Sequence, residues 1–427
     1  RGESMKNVNI ALIGLGTVGS GVYKTIAMQK ANIEHKEGIS LNIKKVLALK
    51  YAIEIPEELK AKDFYKDVAA DPDIDIVIEL IGGVNPAKDF VLAALNAGKT
   101  VVTANKELLA RFWPELNAAA KASGAGLYFE ASVGGGIPIL RTIWDSLQAN
   151  EITSVMGIIN GTTNYILSKM EQDRASYDAV LKEAQQLGFA EANPKNDVEG
   201  YDAMYKLSIL SSMAFHARVP VEYIYREGIT GITQEDIAYA DELGYSVKLL
   251  AIGKKRGKTV EARVHPTMIP KTHPLASVRG SFNAIYLHGN IVDDIMLYGR
   301  GAGDMPTASA VVSDVVYAAG RDKHRYTTFY NEDRVSDELS FENNWESEFF
   351  LRFIVKDEPG VLAKIASVLG QHNVSVATVM QKGRSGEHVP LIFVTHKAKE
   401  ISVKRAVDDI SYIPEVISVA SMIRVES

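Results

Sequence analysis

The chain has 427 residues, enough for roughly two to four domains, and its 46% hydrophobic and 23% charged content is the balance of an ordinary folded protein. A net charge of −6 gives no basis for binding nucleic acid or an anionic membrane surface, and no apolar run approaches the ~18 residues of a membrane span. The absence of cysteine excludes disulfides, thiol nucleophiles and Cys-held metals, and the nine histidines form no zinc-like H-x-x-x-H or H-E-x-x-H pattern. Arg1-Gly2-Glu3-Ser4 ahead of Met5 reads as an added leader. Without a secretory pattern, a cytoplasmic enzyme is the expectation.

The first predicted strand, 9–13, ends in Gly14-Leu15-Gly16-Thr17-Val18-Gly19, and a helix pattern follows through Val22, Ile26 and Ala27. In this strand–turn–helix setting the glycines have separate tasks. Gly14 permits the tight turn, Gly16 lets the backbone approach a pyrophosphate, and Gly19 lets helix and strand pack closely. The helix N-terminus, at Thr17 and Val18, favours the phosphate charge. Further strands are expected at 43–49, 76–81, 100–103 and 127–130, with helices at 90–96 and 108–121 between them, the alternation of a doubly wound parallel sheet. Lys50, with Lys44 and Lys45 nearby, stands where an NAD-binding unit usually carries an acid. Two readings stay open: a lysine that favours the 2′-phosphate of NADPH, and a solvated lysine cluster.

From Gly134 the pattern changes to an α+β unit. A glycine bend at 132–138 feeds a helix at 139–147, followed by a strand at 154–159, a turn at 160–164 and a helix from Tyr165. The segment 184–206, A-Q-Q-L-G-F-A-E-A-N-P-K-N-D-V-E-G-Y-D-A-M-Y-K, concentrates Glu191, Asp197, Glu199, Asp202 and Lys206. Asp202 and Lys206 are four apart on a predicted helix and therefore share one face. An isolated pair of this kind is most often an exposed ion pair of small energy. The apolar stretch 207–215 looks buried, and a lysine half-sunk there beside a carboxylate can be tuned as a proton donor; the Gly-, Pro- and acid-rich loop just before it and the N-terminal nucleotide signature raise that second reading. Strands at 260–265 and 282–287 complete a sheet that could cover a dimer partner. A second glycine loop, 299–307, with Gly303 in it and Pro306 fitting the first helical position, precedes a helix at 308–319. It reads either as a second cofactor cradle or as a hinge.

Residues 330–347 are polar and acidic, as in a linker, and the tail 349–423 reads strand, helix, strand, strand, helix, strand, the ferredoxin-like βαββαβ order.

Taken together these motifs resemble the homoserine dehydrogenase family over nearly the whole chain after Met5. The segment 184–206 is similar to the family signature from Ala184 and Gly188 through Pro194, Asp197, Gly200 and Asp202 to Lys206. Further landmarks are E-L-I-G-G at Glu79, V-V-T-A-N-K at Val101, E-A-S-V-G-G-G-I-P at Glu130, N-G-T-T-N-Y at Asn160 and G-A-G-D-M-P-T-A-S-A at Gly301, and the tail is similar to an ACT regulatory domain. One departure is Leu49-Lys50, where many members carry Arg-Asp.

The resemblance implies an α/β Rossmann nucleotide-binding domain over 5–133, with a helix at 306–330 returning to it. It further implies an α+β catalytic and dimerisation domain over 134–305, a linker at 331–347 and a βαββαβ ACT domain over 348–427. The implied activity is reversible reduction of L-aspartate 4-semialdehyde to L-homoserine with NAD(P)H, serving threonine, methionine and isoleucine synthesis. Carried over residue by residue, Lys206 is the proton donor, Asp202 tunes it, Lys106 lies between cofactor and substrate, and Glu191 binds the substrate ammonium. Thr162 and Thr163 contact substrate, and Asp197 and Glu199 shape the loop. Glu130, Val133, Gly135 and Ile137 match a structural Na⁺ loop built from backbone carbonyls. NADP is the favoured cofactor, with NAD as the alternative. Asp357, Pro359, Gly360 and Val361 form the amino-acid loop of the tail, for which L-threonine is the expected effector. The alternative is a tail that only dimerises. A homodimer, or a tetramer through paired ACT units, is the expected assembly.

Overall fold

The computed structural model describes residues 5–327, 329, 339–381 and 388–426. β1 (Lys6–Leu15), α1 (Thr17–Glu37), β2 (Ile39–Tyr51), β3 (Ile76–Glu79), α2 (Ala87–Asn96), β4 (Thr100–Thr103), α3 (Lys106–Ser123) and β5 (Leu127–Tyr128) form the first unit. Its strands are all parallel, in the order β2-β1-β3-β4-β5. β3 and β4 are buried along their whole length, as strands covered on both faces must be. α2 stops at Gly98, which takes the left-handed conformation (φ 77°) just past its C-cap.

The second unit carries α4 (Ile139–Arg141), β6 (Ile152–Ile158), α5 (Gly161–Asp173), α6 (Tyr177–Gln186), α7 (Lys195–Val198) and α8 (Tyr201–Phe215). It continues with β7 (Tyr225–Arg226), α9 (Gln234–Glu242), β8 (Tyr245–Arg256), β9 (Thr259–Pro270), β10 (Phe282–Gly289), β11 (Asp293–Arg300) and α10 (Asp304–Ala319). α10 packs back on the first unit: Ala308, Val311 and Val315 share a core with Val22 and Ile26 of α1. A β-carbon on Gly21 would lie 2.5 Å from the Asp304 carbonyl oxygen, so the two helices meet backbone to backbone.

The tail contains β12 (Ser340–Glu342), β13 (Glu346–Lys356), α11 (Val361–Gln371), β14 (Val376–Gln381), β15 (His388–Thr395), β16 (Ala398–Lys399), α12 (Glu400–Ser411) and β17 (Val416–Val425), with its own apolar core around Phe349, Phe353, Ile365 and Phe393.

Several local expectations are corrected. The strand expected at 127–130 ends at Tyr128, and the chain tightens into a 3₁₀ turn over Glu130–Ser132. The helix expected at 139–147 is α-helical only to Arg141 and then widens into a π turn over Thr142–Ser146. The helix expected from Tyr165 starts at Gly161, because the Asn160 side chain caps it. α10 starts at Asp304, which makes Pro306 its third residue rather than its first; the missing N–H costs nothing there, because the first-turn amides have no intrahelical partner. Of the expected linker, 331–338 lies outside the described residues, while Ser340–Glu342 pairs with β9 and β13 begins at Glu346.

The largest departure is in the sheets. The tail does not carry an independent sheet. β17 pairs parallel with β9 (Arg424 with Thr267, Val425 with Met268), giving one continuous order β11-β10-β6-β8-β9-β17-β13-β15-β14. Hydropathy patterns reveal strands but not which edge accepts a partner from a later unit. Among the described residues, no helix is long and apolar enough to cross a membrane.

Candidate active site

α8 begins after Gly200, held in the left-handed conformation (φ 82°), and places Asp202 in its first turn with Lys206 one turn on. Both are buried, at 7% and 9% exposure, so their charges must be matched locally. The Lys206 ammonium donates to Asp202 Oδ2 at 2.7 Å and to the Ile159 carbonyl at 2.9 Å. Those two acceptors take two of its three hydrogens. On the other side, Lys106 Nζ lies 3.2 Å from Asp202 Oδ1. One carboxylate therefore sits between two ammonium groups brought from different units of the chain. Burial alone would raise the Asp202 carboxyl; the charges of Lys206 and Lys106 overcome it and hold the group well below the ordinary carboxylate range. Asp202 in turn raises the Lys106 ammonium, against the opposing effect of burial. Lys106 is part-exposed at the side chain.

Lys106 is aimed by the carboxyl edge of the parallel sheet. The buried Glu79 carboxylate, at the end of β3, accepts from Ile81 N, Gly82 N and Thr103 Oγ1 (2.8, 3.2 and 2.6 Å). Asn105 donates its amide to Gly83 O at 2.7 Å and caps α3 through Leu108 N at 3.1 Å, which makes Lys106 the first helical residue. Edge, loop and helix start are thus one hydrogen-bonded unit, and Lys106 leaves it in a set direction.

Asn160 is the residue that sequence reasoning did not single out. Its side chain, 5% exposed, donates to Asp202 Oδ2 at 2.9 Å and Asp197 Oδ1 at 2.7 Å. Its oxygen accepts from Thr163 N and Thr163 Oγ1, both at 2.8 Å. A backbone N–H can only donate, so this pins the amide with its NH₂ toward the two carboxylates. The available signal was an Asn directly before a helix, a capping preference that carries no catalytic meaning by itself.

The other expected residues fall in several places. The Thr163 hydroxyl is buried and spent on Asn160. Thr162 Oγ1 donates to Phe189 O at 2.6 Å, tying α5 to the loop before α7. Glu191 lies in that loop, exposed and in no ion pair with the lysine cluster. Asp197 is drawn into the cluster through Asn160; burial and the Asp202 charge raise its carboxyl. The Glu199 carbonyl accepts from Arg226 Nη1.

At the glycine turn, Gly14 has φ 98° and stands against Leu80, where a β-carbon would lie 2.8 Å from the carbonyl oxygen. A β-carbon on Gly19 would lie 2.1 Å from the Gly14 carbonyl oxygen, so only glycine allows this helix–strand approach. Around Gly16 there is open space, and α1 above it has no side-chain cap and no acid in its first turn. The uncapped amides at Thr17 and Val18 beside that space fit a dinucleotide pyrophosphate. Lys50 is exposed one residue before β2 ends. Gly303 (φ 117°) precedes α10 at its junction with α1.

Two left-handed glycines, Gly134 and Gly135, turn the chain after Val133. Gly135 meets the Gly301 carbonyl, where a β-carbon would lie 2.3 Å away, and Gly136 N donates to Arg300 O at 3.0 Å. The Glu130 side chain is spent on Leu140 N and Arg141 N (2.9 and 2.7 Å). Burial and Asp314 push its carboxyl up to about 7. No group of three or more His, Cys, Asp or Glu side chains suited to a metal occurs among the described residues.

In the tail, Gly360 (φ 93°) leads Val361 into α11, whose N-terminus has no side-chain cap. Asp357 in the same loop accepts from Gln381 Nε2 at 3.1 Å.

The profile described as "Homoserine dehydrogenase, NAD binding domain" matches residues 14–130, that described as "Homoserine dehydrogenase" matches 138–316, and "ACT domain" matches 349–415. The homoserine dehydrogenase of Bacillus subtilis is 43% identical over 99% of both chains, and that of Corynebacterium glutamicum 42% identical over 98% of this chain and 96% of its own. A homoserine dehydrogenase structure from Thiobacillus denitrificans superposes with a TM-score of 0.93 at 39% identity, covering 100% of this chain and 99% of that one. A hyperthermophilic archaeal homoserine dehydrogenase in complex with NADPH gives 0.63 at 26% identity over 73% of this chain and 97% of its own. With a parallel nucleotide-binding sheet, a lysine–aspartate–lysine cluster around the buried Asp202 at its carboxyl edge and relatives of this name matching end to end, the chain belongs to the homoserine dehydrogenases, oxidoreductases built here with a C-terminal ACT domain.

Proposed function

We propose that the chain interconverts L-aspartate 4-semialdehyde and L-homoserine with Lys206 as the acid–base group. The observation that carries this reading is the Lys206 ammonium, held by Asp202 and the Ile159 carbonyl with one hydrogen left over. A bound NAD(P)H supplies the hydride. The chain has to supply a proton to the aldehyde oxygen as negative charge develops there, and a fixed ammonium does so without reorganisation. Asp202 keeps that ammonium in place and Asn160 keeps Asp202 in place. Lys106, on the nucleotide-binding unit but paired to Asp202, faces the reacting group from the cofactor side. Glu191, exposed and uncommitted, takes the substrate ammonium, and Thr162 holds its loop. The product feeds threonine, methionine and isoleucine synthesis in a soluble compartment, in keeping with the cytoplasmic expectation.

The open space at Gly16 and the uncapped α1 amides support a dinucleotide, and Lys50 supports NADP over NAD. Val133 and Gly135, at a bend formed by the left-handed Gly134 and Gly135, support a carbonyl-lined Na⁺ site together with the Glu130 and Ile137 carbonyls. The buried Asn283 amide, without a partner and against Gly301, lies next to that loop and suits a cation or its water. The uncapped α11 N-terminus at Gly360 and Val361, with Asp357 and Pro359, supports capture of an amino acid such as L-threonine. Exposed Met296 and Tyr298 on the edge strand β11 support a homodimer, with β14 as the edge through which tails would pair into tetramers. Light scattering at the monomer mass would remove the assembly reading.

Homoserine oxidation followed by NADPH absorbance tests the chemistry. Lys206→Ala should lose about two orders of magnitude or more in kcat with its fold intact, and near-normal turnover would exclude it as the acid. Asp202→Asn removes the negative charge that raises the Lys106 ammonium. The alkaline limb of the reduction rate should therefore move to lower pH, and an unmoved limb would show that Asp202 does not tune the site. Lys50→Asp should shift kcat/KM from NADPH toward NADH; an unchanged ratio would return Lys50 to the solvated cluster, and the same assays in choline in place of sodium would show whether a cation matters. L-threonine should slow the wild-type enzyme and leave Asp357→Ala unaffected; equal inhibition of both would remove the effector site from this loop.

A further inference from the structure

β7 is two residues long, yet it stands between the tail and the start of α8. It pairs parallel with β9 (Tyr225 with Arg263, Arg226 with Val264), and Glu227 N extends the ladder to Val264 O at 2.8 Å. Side chains alternate along an extended strand, so Tyr225 and Glu227 point one way and Arg226 the other.

On the tail side they meet Arg424 of β17, which is fully buried. Arg424 Nη1 pairs with the Glu227 carboxylate, Nη2 donates to Tyr225 Oη at 3.0 Å, and Nε and Nη2 also donate to Glu400 of α12. Tyr225 Oη also donates to Glu227 Oε2 at 2.9 Å. Arg424, fully buried, has no water to replace a lost partner, so this pairing ties β7 to β17.

On the opposite side, the Arg226 guanidinium lies over the Tyr201 ring at 3.7 Å and donates to the Glu199 carbonyl. Between those two residues is the left-handed Gly200, packed on Arg226 Cγ and the Glu227 carbonyl. Ile229 N donates to Val198 O at 2.8 Å, and Gly228 is pressed against the same carbonyl. Residues 226–229 thus grip 198–201, the lead-in to α8, and Asp202 is the next residue.

We infer that Arg226 is a positioning residue for the Asp202–Lys206 pair, and that β7 passes the placement of the tail's Arg424 to it. This rests on the reading of Asp202 and Lys206 as the acid–base pair. Displacing β17 would draw on Glu227 and Tyr225. The neighbouring Arg226 would then shift the Glu199 carbonyl and the Tyr201 ring, and with them the first turn of α8. An effector bound in the tail would reach the chemistry by this route without touching the cleft.

The full chain is assayed in homoserine oxidation at saturating cofactor. Arg226→Met should lower kcat by about tenfold to a hundredfold, the range for small misplacements of a catalytic group, with KM for homoserine nearly unchanged. Arg226→Lys, which keeps a cation over Tyr201 and a donor for Glu199, should recover part of the loss. Glu227→Gln, which touches neither Glu199 nor Tyr201, should also lower kcat, and its effect should vanish in the Arg226→Met background, because the two act in series. Wild-type kcat in Arg226→Met, or independent multiplicative effects of the two substitutions, overturns the proposal. Should Arg226→Met not fold, the kcat–KM split of Arg226→Lys decides: a lowered kcat at constant KM supports it and a wild-type kcat overturns it. Lys206→Ala run alongside separates the failures, since an active Lys206→Ala sinks the acid–base reading, whereas an inactive one beside a fully active Arg226→Met sinks only the positioning role.

Discussion

The structure depends on neutralising one buried carboxylate. Asp202 is withdrawn from water, and a carboxylate there is tolerable only with compensating charge and hydrogen bonds close by. Lys206 comes from its own helix, Lys106 from the nucleotide-binding unit, and the Asn160 amide from the end of β6. Each partner is separately fixed: Lys206 by the Ile159 carbonyl, Lys106 by the Asn105 cap, Asn160 by the Thr163 amide. Removing any one leaves a buried group short of a partner. The cluster is therefore held in one arrangement by its own partners.

Close backbone contacts at glycines bring the units near enough for that cluster to form. Gly19 against Gly14, Gly21 against Asp304 and Gly135 against Gly301 each leave no room for a β-carbon. The first sets α1 on the sheet, the second seats α10 on α1, and the third ties the bend after the nucleotide-binding unit to the loop before α10. Both glycine loops thus lie at one joint between the units.

The tail is joined to the rest by a different logic. β17 on β9 supplies backbone hydrogen bonds, and around that pairing lie charges almost wholly shut off from water. Arg263 and Lys254 meet Glu426, whose carboxyl they pull down to about 2 against the effect of burial, and Arg352 meets Asp236 at 2.8 Å. Buried ion pairs stabilise little compared with apolar packing, but they tolerate few alternative geometries. Such a joint holds its parts in definite registers.

Much of this was legible in the residues. The G-x-G-x-x-G turn, the parallel α/β alternation, the βαββαβ tail and the helical Asp202–Lys206 pair all follow from periodicity and steric rules acting within a few residues. Those rules hold wherever the segment ends up. Missing from the sequence were the strands β8 and β11, the pairing of β17 with β9, and the role of Asn160. The salt bridge between Lys106 and Asp202 was absent too, since the two residues were placed near one site only by resemblance. These are contacts between distant segments, decided by sheet register and by glycine-permitted close approach, and no local pattern encodes which distant partner a strand edge or a buried charge will find. The sequence by itself determined that a lysine and an aspartate share a helix face. Only the tertiary structure decided that this face is dry, that a second lysine closes it, and that the tail's Arg424 stands one short strand away.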